Sequence, residues 1–109
     1  MAKNSGPRAP QHLEPGTRDW WRGAVKELEL SDEEVNLLTL AGEAWDRNTQ
    51  AREAIKEHGL TYEDANGNPR LRPEVAVERD SKTIFSRLIK QLGLKTAPRQ
   101  ATENESFIR

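Results

Sequence analysis

One long helix is encoded by residues 31–59, which read SDEEVNLLTLAGEAWDRNTQAREAIKEHG. Ser31 followed by Glu34 is a capping box, in which each side chain satisfies a backbone N–H at the start of a helix. Gly59 is suited to the left-handed residue that ends a helix. We therefore expect a helix that starts at Ser31 and ends at His58, about 40 Å long at 1.5 Å per residue.

One face of this helix carries small and apolar residues at heptad spacing, which is typical of a seam between packed helices. The seam consists of Leu37, Ala41, Ala44, Asn48, Ala51 and Ile55. Asn48 lies in its middle, where a polar residue can fix the register of the two helices. Two interpretations stay open: the seam packs within its own chain, or it also faces a neighbouring subunit.

The chain before the long helix divides into an arm and a short helix. Residues 1–16 contain three prolines and two glycines, a composition that predicts a flexible N-terminal arm. Residues 17–29 predict a short helix, because apolar residues recur on one face. At least one ring of Trp20 and Trp21 is expected in the core, since the chain has few other large residues to fill it.

A small hairpin is predicted near residues 60–72, which read LTYEDANGNPRLR. Asn66-Gly67 favours a type I′ turn, in which both central residues need a positive φ. Strands of about 3–4 residues would flank this turn, and so small a hairpin is marginally stable alone. It must therefore lie against its own helices or against another subunit.

The last predicted element is a closing helix from Pro73, a favoured first helical residue, to a stop at Gly93. Its apolar face is expected to consist of Val77, Ser81, Ile84, Phe85, Leu88 and Leu92. The roughly opposite face carries Arg79, Lys82, Arg87 and Lys90. The predicted fold is mainly α: short helix, long helix, small β-hairpin and closing helix. We expect residues 17–96 to form a helical oligomerisation core and residues 97–109 to form a flexible C-terminal tail.

Composition limits the classes of function that the chain can have. Its 109 residues include 17 basic and 18 acidic ones, for a net charge of −1. Near-neutrality argues against both a disordered chain and a uniformly basic nucleic-acid binder. The charge is uneven, with a net −6 over residues 31–69 and +4 over residues 70–109. Hydrophobic residues make up 34%, so the core is thin and oligomerisation would add stability.

Catalytic and metal-binding motifs are absent from the sequence. Without cysteine, disulfides, thiolate catalysis and cysteine-based zinc sites are excluded. His12 and His58 lack the spacing of a metal site, and the acidic clusters are explained by a helix cap and a turn. We predict no catalytic residue, metal or cofactor. Because no catalytic motif is found, we expect that the protein is not an enzyme. No apolar run approaches the roughly 20 residues of a membrane span, so we expect a cytosolic protein.

The order of these elements carries a resemblance to a known family. A short helix with tryptophan precedes a long alanine-rich helix with Trp45, a turn with Gly67 and the ending LGLKTAPR at residues 92–99. Over roughly residues 18–100 the chain resembles the small subunit of tailed-phage terminases, in which a similar LGLTPxxR-like motif closes the core. Here Lys95 precedes the threonine of that motif, and Ala97 separates the threonine from the proline.

The resemblance implies a function and a set of partners. Such proteins form rings in the host cytoplasm, recognise double-stranded viral DNA for packaging, and recruit the large ATPase and nuclease subunit. The candidate DNA-binding residues are Lys3, Arg8, Arg79, Lys82, Arg87, Lys90, Lys95 and Arg99. The candidate oligomer interface is the seam together with Tyr62 and Leu71. Phe107 and Ile108 are the candidate contact with the large subunit.

Two other classes of function fit the same residues. One is a small dimeric transcription regulator or antitoxin-like DNA-binding protein, which pairs through the seam of the long helix. The other is a protein–protein adaptor whose basic helix face is merely solvated. A dimeric mass and tight binding to a short palindrome would favour the regulator. Absence of any DNA retention, even at about 50 mM salt, would favour the adaptor.

Overall fold

The computed structural model describes residues 7–98, and over them the fold is mainly helical with one small hairpin, as predicted. Helix α1 spans Pro15–Glu27, and helix α2 spans Asp32–His58. Strands β1 (Thr61–Glu63) and β2 (Pro69–Leu71) follow, and helix α3 spans Pro73–Leu92. The two long helices α2 and α3 pack together, and α1 lies against α2.

The ends of α2 and α3 confirm the predicted helix signals. Ser31 Oγ accepts a hydrogen bond from the Glu34 amide at 3.1 Å, and Glu34 Oε1 accepts one from the Ser31 amide at 3.0 Å. Gly93 ends α3 in the left-handed region, with φ 73° and ψ 25°. Gly59 also has a positive φ, 86°, but its ψ of −179° lies outside the left-handed helical region that was expected. That combination is essentially restricted to glycine.

The N-terminal boundary of the folded core differs from the prediction. Helix α1 begins at Pro15, and Leu13, which belongs to the predicted flexible arm, is only 2% exposed. Arg18 holds the preceding turn by donating to the carbonyl oxygens of Gln11 (3.2 Å) and Leu13 (2.7 Å). Proline breaks regular secondary structure, yet an irregular segment can still bury one apolar side chain.

Both adjacent tryptophans lie in the core, which confirms the expectation that at least one would. Trp20 and Trp21 are each 2% exposed. The indole Nε1 of Trp20 donates to the Thr96 carbonyl oxygen at 3.2 Å, and that of Trp21 donates to Thr39 Oγ1 at 3.0 Å.

Residues 97 and 98, assigned to the C-terminal tail by prediction, are also buried. The packed core therefore extends further at both ends than the predicted range of 17–96.

The seam of α2 packs within the chain, which was one of the two open interpretations. Four of its residues are buried: Ala41, Ala44, Asn48 and Ala51. Asn48 Nδ2 donates to the Glu78 carbonyl oxygen of α3 at 2.8 Å. Nearby, the ring centroids of Trp45 and Phe85 are 5.0 Å apart. Most of the seam is therefore occupied by α3 and is not a free surface for a second subunit.

The hairpin has the predicted strand length but a different turn. Thr61 pairs with Leu71, Tyr62 with Arg70, and Glu63 with Pro69, so the connection spans residues 64–68 and is not a two-residue turn. Asp64 organises this connection, because its Oδ1 accepts hydrogen bonds from the amides of Asn66 and Asn68, both at 2.9 Å. Gly67 supplies a positive φ of 80°. The carboxylate at the end of β1 thus replaces the tight turn that Asn-Gly alone predicts.

Acidification is expected to loosen this connection through Asp64. A hydrogen bond from Arg70, aided by the amides of Asn68 and Asn66, holds the pKa of the Asp64 carboxyl below its ordinary value of 3.8. Because the folded pKa is the lower one, the stabilising effect is present above the ordinary value and is lost as the pH falls through the folded pKa. In an NMR titration, the Asn66 and Asn68 amides should shift together, with a midpoint below that of Asp64 in the urea-unfolded chain.

The matched control for this titration is Asp64→Asn, which keeps an acceptor oxygen but cannot ionise. In that variant the two amides should lose the low-pH transition. Equal midpoints in the folded and unfolded chains would contradict the prediction.

Candidate nucleic-acid interface

Four of the predicted DNA-binding residues lie exposed on α3 and form what we call the cationic ridge. Its members are Arg79, Lys82, Arg87 and Lys90. The helix is fixed on its other side by Phe85, which contacts Trp20 and Trp45, and by the buried Leu92. From Arg79 to Lys90 the ridge extends about 16 Å along the helix axis. This length exceeds the spacing of neighbouring phosphates, so several ridge residues can contact one DNA backbone.

The charges of the ridge are not equally available. Lys82 Nζ lies 3.0 Å from Glu78 Oε2, and Arg79 Nε lies 3.1 Å from Asp80 Oδ1. The hydrogen bond and the charge of Lys82 hold the pKa of the Glu78 carboxyl below its ordinary value, although desolvation opposes them. Neither Arg87 nor Lys90 forms an ion pair with another residue in the range 7–98. These two cations are therefore the most readily offered to a phosphate.

The other predicted DNA-binding residues lie away from α3. Arg8 is exposed ahead of α1, and Lys95 is exposed just after α3. Lys3 and Arg99 lie outside the described residues. The ridge is thus the part of the predicted set that a single rigid element holds together.

The predicted apolar face of α3 needs a correction. Val77 and Ile84 are 37% and 48% exposed, and Leu40 of α2 is 49% exposed. With Ala44, Ser81 and Leu88 these residues line an apolar groove between the two helices, of about 520 Å³, which we call the α2–α3 groove. The helical periodicity placed Val77 and Ile84 on the apolar face correctly, but α2 is too narrow at its alanines to cover that whole face.

The groove is the feature that sequence reasoning missed. Leu40 stood in an aliphatic patch of α2, outside the heptad seam, so its pattern gave no reason to place it opposite α3. Arg47, Arg87, Glu43 and Asp80 surround the apolar floor. A surface groove with an apolar floor and a charged rim is typical of a protein–protein contact.

The hairpin residues predicted at an oligomer interface are exposed. Tyr62 is 41% exposed and Leu71 is 65% exposed. Leu60, just before β1, is 57% exposed. Neither face of the hairpin is covered by the helices over the described part of the chain. The expectation that the hairpin needs a surface to lie against is therefore not met within the protomer.

Residues 7–98 contain no cluster of three or more His, Asp or Glu side chains that could hold a metal ion. Over the same range, no helix is both long enough and apolar enough to cross a membrane. The candidate large-subunit contacts, Phe107 and Ile108, lie outside the described residues.

Comparison with protein families gives a match over most of the chain. A family model described as phage terminase, small subunit, matches residues 18–106. This range includes most of α1, all of α2, the hairpin and α3, and therefore also the cationic ridge and the α2–α3 groove. No curated protein and no solved structure matches the chain.

Proposed function

The chain belongs to the family of phage terminase small subunits, and we propose that it is the non-catalytic DNA-recognition and regulatory subunit of a genome-packaging machine. In this role it assembles into a homo-oligomeric ring in the host cytoplasm. The ring binds double-stranded viral DNA and recruits the large subunit, which carries the ATPase and nuclease activities. The cationic ridge is the observation that carries the DNA-binding part of this proposal.

DNA binding by such a ring rests on repetition of modest contacts. One ridge offers a few cations to phosphates, and each released counterion contributes a salt-dependent term to affinity. A ring repeats the ridge in every subunit, so the second and later contacts form at a high effective concentration. The ridge consists of exposed Arg and Lys side chains on one helix, and such side chains bind phosphates without reading the base sequence. The ridge therefore favours binding to the phosphate backbone.

Charge reversal on the ridge is expected to weaken DNA binding. The double variant Lys82→Glu and Lys90→Glu should raise the Kd for a double-stranded fragment of the viral genome about tenfold or more at moderate salt, because each subunit loses two phosphate contacts. The slope of log Kd against log salt should fall at the same time. Fluorescence anisotropy with labelled DNA measures both quantities.

The matched control is Lys26→Glu, an exposed charge reversal on α1 that lies outside the ridge. It should leave both the Kd and the salt slope nearly unchanged. Circular dichroism establishes that the double variant stays folded. Unaltered DNA retention by the folded double variant at low salt would refute the role of the ridge.

The large-subunit contact is proposed at Phe107 and Ile108, the only large apolar residues after residue 98. Large apolar side chains that become buried in a partner's pocket supply much of the binding energy of a protein–protein contact. The double variant Phe107→Ala and Ile108→Ala should lose co-purification with the large subunit while keeping its DNA affinity. Full retention of the large subunit would exclude this contact.

A further inference from the structure

Two exposed apolar features of the protomer differ in shape, one protruding and one recessed. The protruding feature is one face of the hairpin, which we call the Leu71 face. Residues directly opposite in an antiparallel pair share a face, so this face carries Thr61, Glu63, Pro69 and Leu71. The recessed feature is the α2–α3 groove. Among the described residues, Leu71 is the most exposed of the large hydrophobic side chains, at 65%.

The two features do not meet within the protomer: no hairpin residue lines the groove, and Leu71 remains exposed. The hairpin is joined at Gly59 to the end of α2, whereas Ala44 marks the middle of the groove on the same helix. The 14 residue steps from Ala44 to His58 place the hairpin base about 21 Å from the middle of the groove along a continuous helix. Strands of three residues reach only about 10 Å. A second protomer is therefore the copy whose groove this hairpin can enter.

The unpaired charges of the two features are opposite. Glu63 forms no ion pair with another residue in the range 7–98, and the hairpin cation Arg70 lies on the other face, opposite Tyr62. The Leu71 face is therefore acidic and apolar. It would present a carboxylate beside its one large apolar side chain.

The rim of the groove has the complementary balance. Asp80 is paired with Arg79 at 3.1 Å, and Glu43 forms a hydrogen bond with His12 at 2.7 Å. Its two cations, Arg47 and Arg87, form no ion pair with other residues of the described range. The α2–α3 groove therefore has an apolar floor and two available cations. The Leu71 face has an apolar side chain and one available carboxylate, so the two surfaces are complementary. Such complementarity gives a contact its register and its specificity.

We infer that the Leu71 face of each protomer docks into the α2–α3 groove of the next, with Glu63 beside Arg47. This inference rests on the proposed oligomeric function and assigns its interface. Because the two surfaces differ, the contact is head-to-tail and propagates around a closed ring, whereas a self-complementary patch would stop at a dimer. Of the alanine seam, this interface includes only Ala44.

The test uses the full-length chain and its mass in solution, measured by light scattering coupled to size exclusion. Wild-type protein should have a mass of more than two chains. Ile84→Glu breaks the groove and Leu71→Glu breaks the hairpin face, and each variant alone should be a monomer. Both positions are exposed, so the variants should keep the wild-type circular dichroism spectrum. Ser86→Glu, on the outer side of α3, is the matched control and should keep the oligomer.

Mixing the two monomeric variants separates head-to-tail docking from other arrangements. An equimolar mixture contains one intact groove and one intact hairpin face on different chains, so it should form a species with the mass of two chains and no larger. A charge exchange gives a second readout: Glu63→Arg and Arg47→Glu should each weaken the oligomer, and the double variant should regain it. A purely structural role of either residue would not produce this rescue.

The remaining outcomes distinguish failure of the inference from failure of the proposed function. A wild-type oligomer that survives both Ile84→Glu and Leu71→Glu would overturn the assigned interface and leave the ring intact as a proposal. An unchanged mass combined with loss of large-subunit binding in Ile84→Glu would mean that the groove receives the large subunit instead. A monomeric wild-type chain at all concentrations would overturn both the interface and the ring.

Discussion

Replacing Trp20 with alanine is expected to lower the free energy of unfolding by about 3–5 kcal/mol, the usual range for truncating a buried tryptophan. The side chain is 2% exposed and its ring lies 6.2 Å from that of Phe85. Its Nε1 also donates to the Thr96 carbonyl oxygen at 3.2 Å. One residue of α1 therefore contacts α3 and the segment that follows α3. Since small domains are stable by only about 5–15 kcal/mol, this variant should be close to unfolding at room temperature.

The conservative variant Trp20→Phe separates volume from hydrogen bonding. A phenylalanine keeps most of the apolar contact but leaves the Thr96 carbonyl without its donor, so a loss of about 1–3 kcal/mol is expected. Urea denaturation followed by circular dichroism measures both variants. Protomer concentration must be the same throughout, because association of folded chains raises the apparent stability. A loss below about 1 kcal/mol for Trp20→Ala would show that the site collapses without cost.

The helices were predictable because their signals are local. The Ser31–Glu34 capping box, Pro73 and Gly93 each act within one turn of a helix, so their effect can be read without knowing the rest of the fold. The length of the two strands was also predictable, because the run of residues on each side of the turn signal is short. The turn was not, because the choice between an Asn-Gly turn and a wider connection depended on hydrogen bonds from Asp64 that compete with the tighter geometry.

What the sequence did not reveal depends on contacts between distant residues. Leu13 lies in a proline-rich segment without periodicity, so nothing local indicates that it fills the core. Helical periodicity placed Val77 and Ile84 on the inner face of α3, but it carries no information on how wide the opposing helix is. The small side chains of α2 allow the two helices to approach closely at Asn48 and leave the outer edge of the apolar face uncovered.

The division of α3 into two sides bears on the proposed function. Lys90 and Arg79 lie on the outer side, whereas Ile84 and Val77 open towards the groove. A subunit that contacts DNA with one side of a helix and a neighbouring subunit with the other couples its assembly to DNA binding. Arg87 stands at the boundary, since it belongs to the cationic ridge and also lines the rim of the groove. For this reason Lys82 and Lys90 are the cleaner positions for a test of DNA binding, and Arg47 for a test of assembly.

The second-largest expected effect is the loss of about 2–3 kcal/mol of stability in Asp46→Ala. Helix α1 has no side-chain cap of its own, and Asp46 of α2 supplies one from a distance. Its Oδ2 accepts the Glu14 amide at 2.9 Å, and its Oδ1 accepts the Thr17 hydroxyl at 2.6 Å. The carboxylate is 7% exposed, and its negative charge lies at the positive end of α1. Alanine would leave the buried Thr17 hydroxyl and the part-buried Glu14 amide without a partner. A lost partner costs about 1–3 kcal/mol for a fully buried group, and less for one that water can reach.

Two further variants test this explanation of Asp46. Asp46→Asn keeps one acceptor oxygen and removes the charge, so an intermediate loss of about 1 kcal/mol is expected. Asp19→Ala is the matched control, because its carboxylate is 80% exposed in an ion pair with Arg22, and such pairs contribute at most about 1 kcal/mol. Urea denaturation of the three variants at equal protomer concentration measures the order of the losses. If Asp46→Ala cost no more than Asp19→Ala, the contacts of Asp46 with Glu14 and Thr17 would not stabilise the packing of α1 on α2.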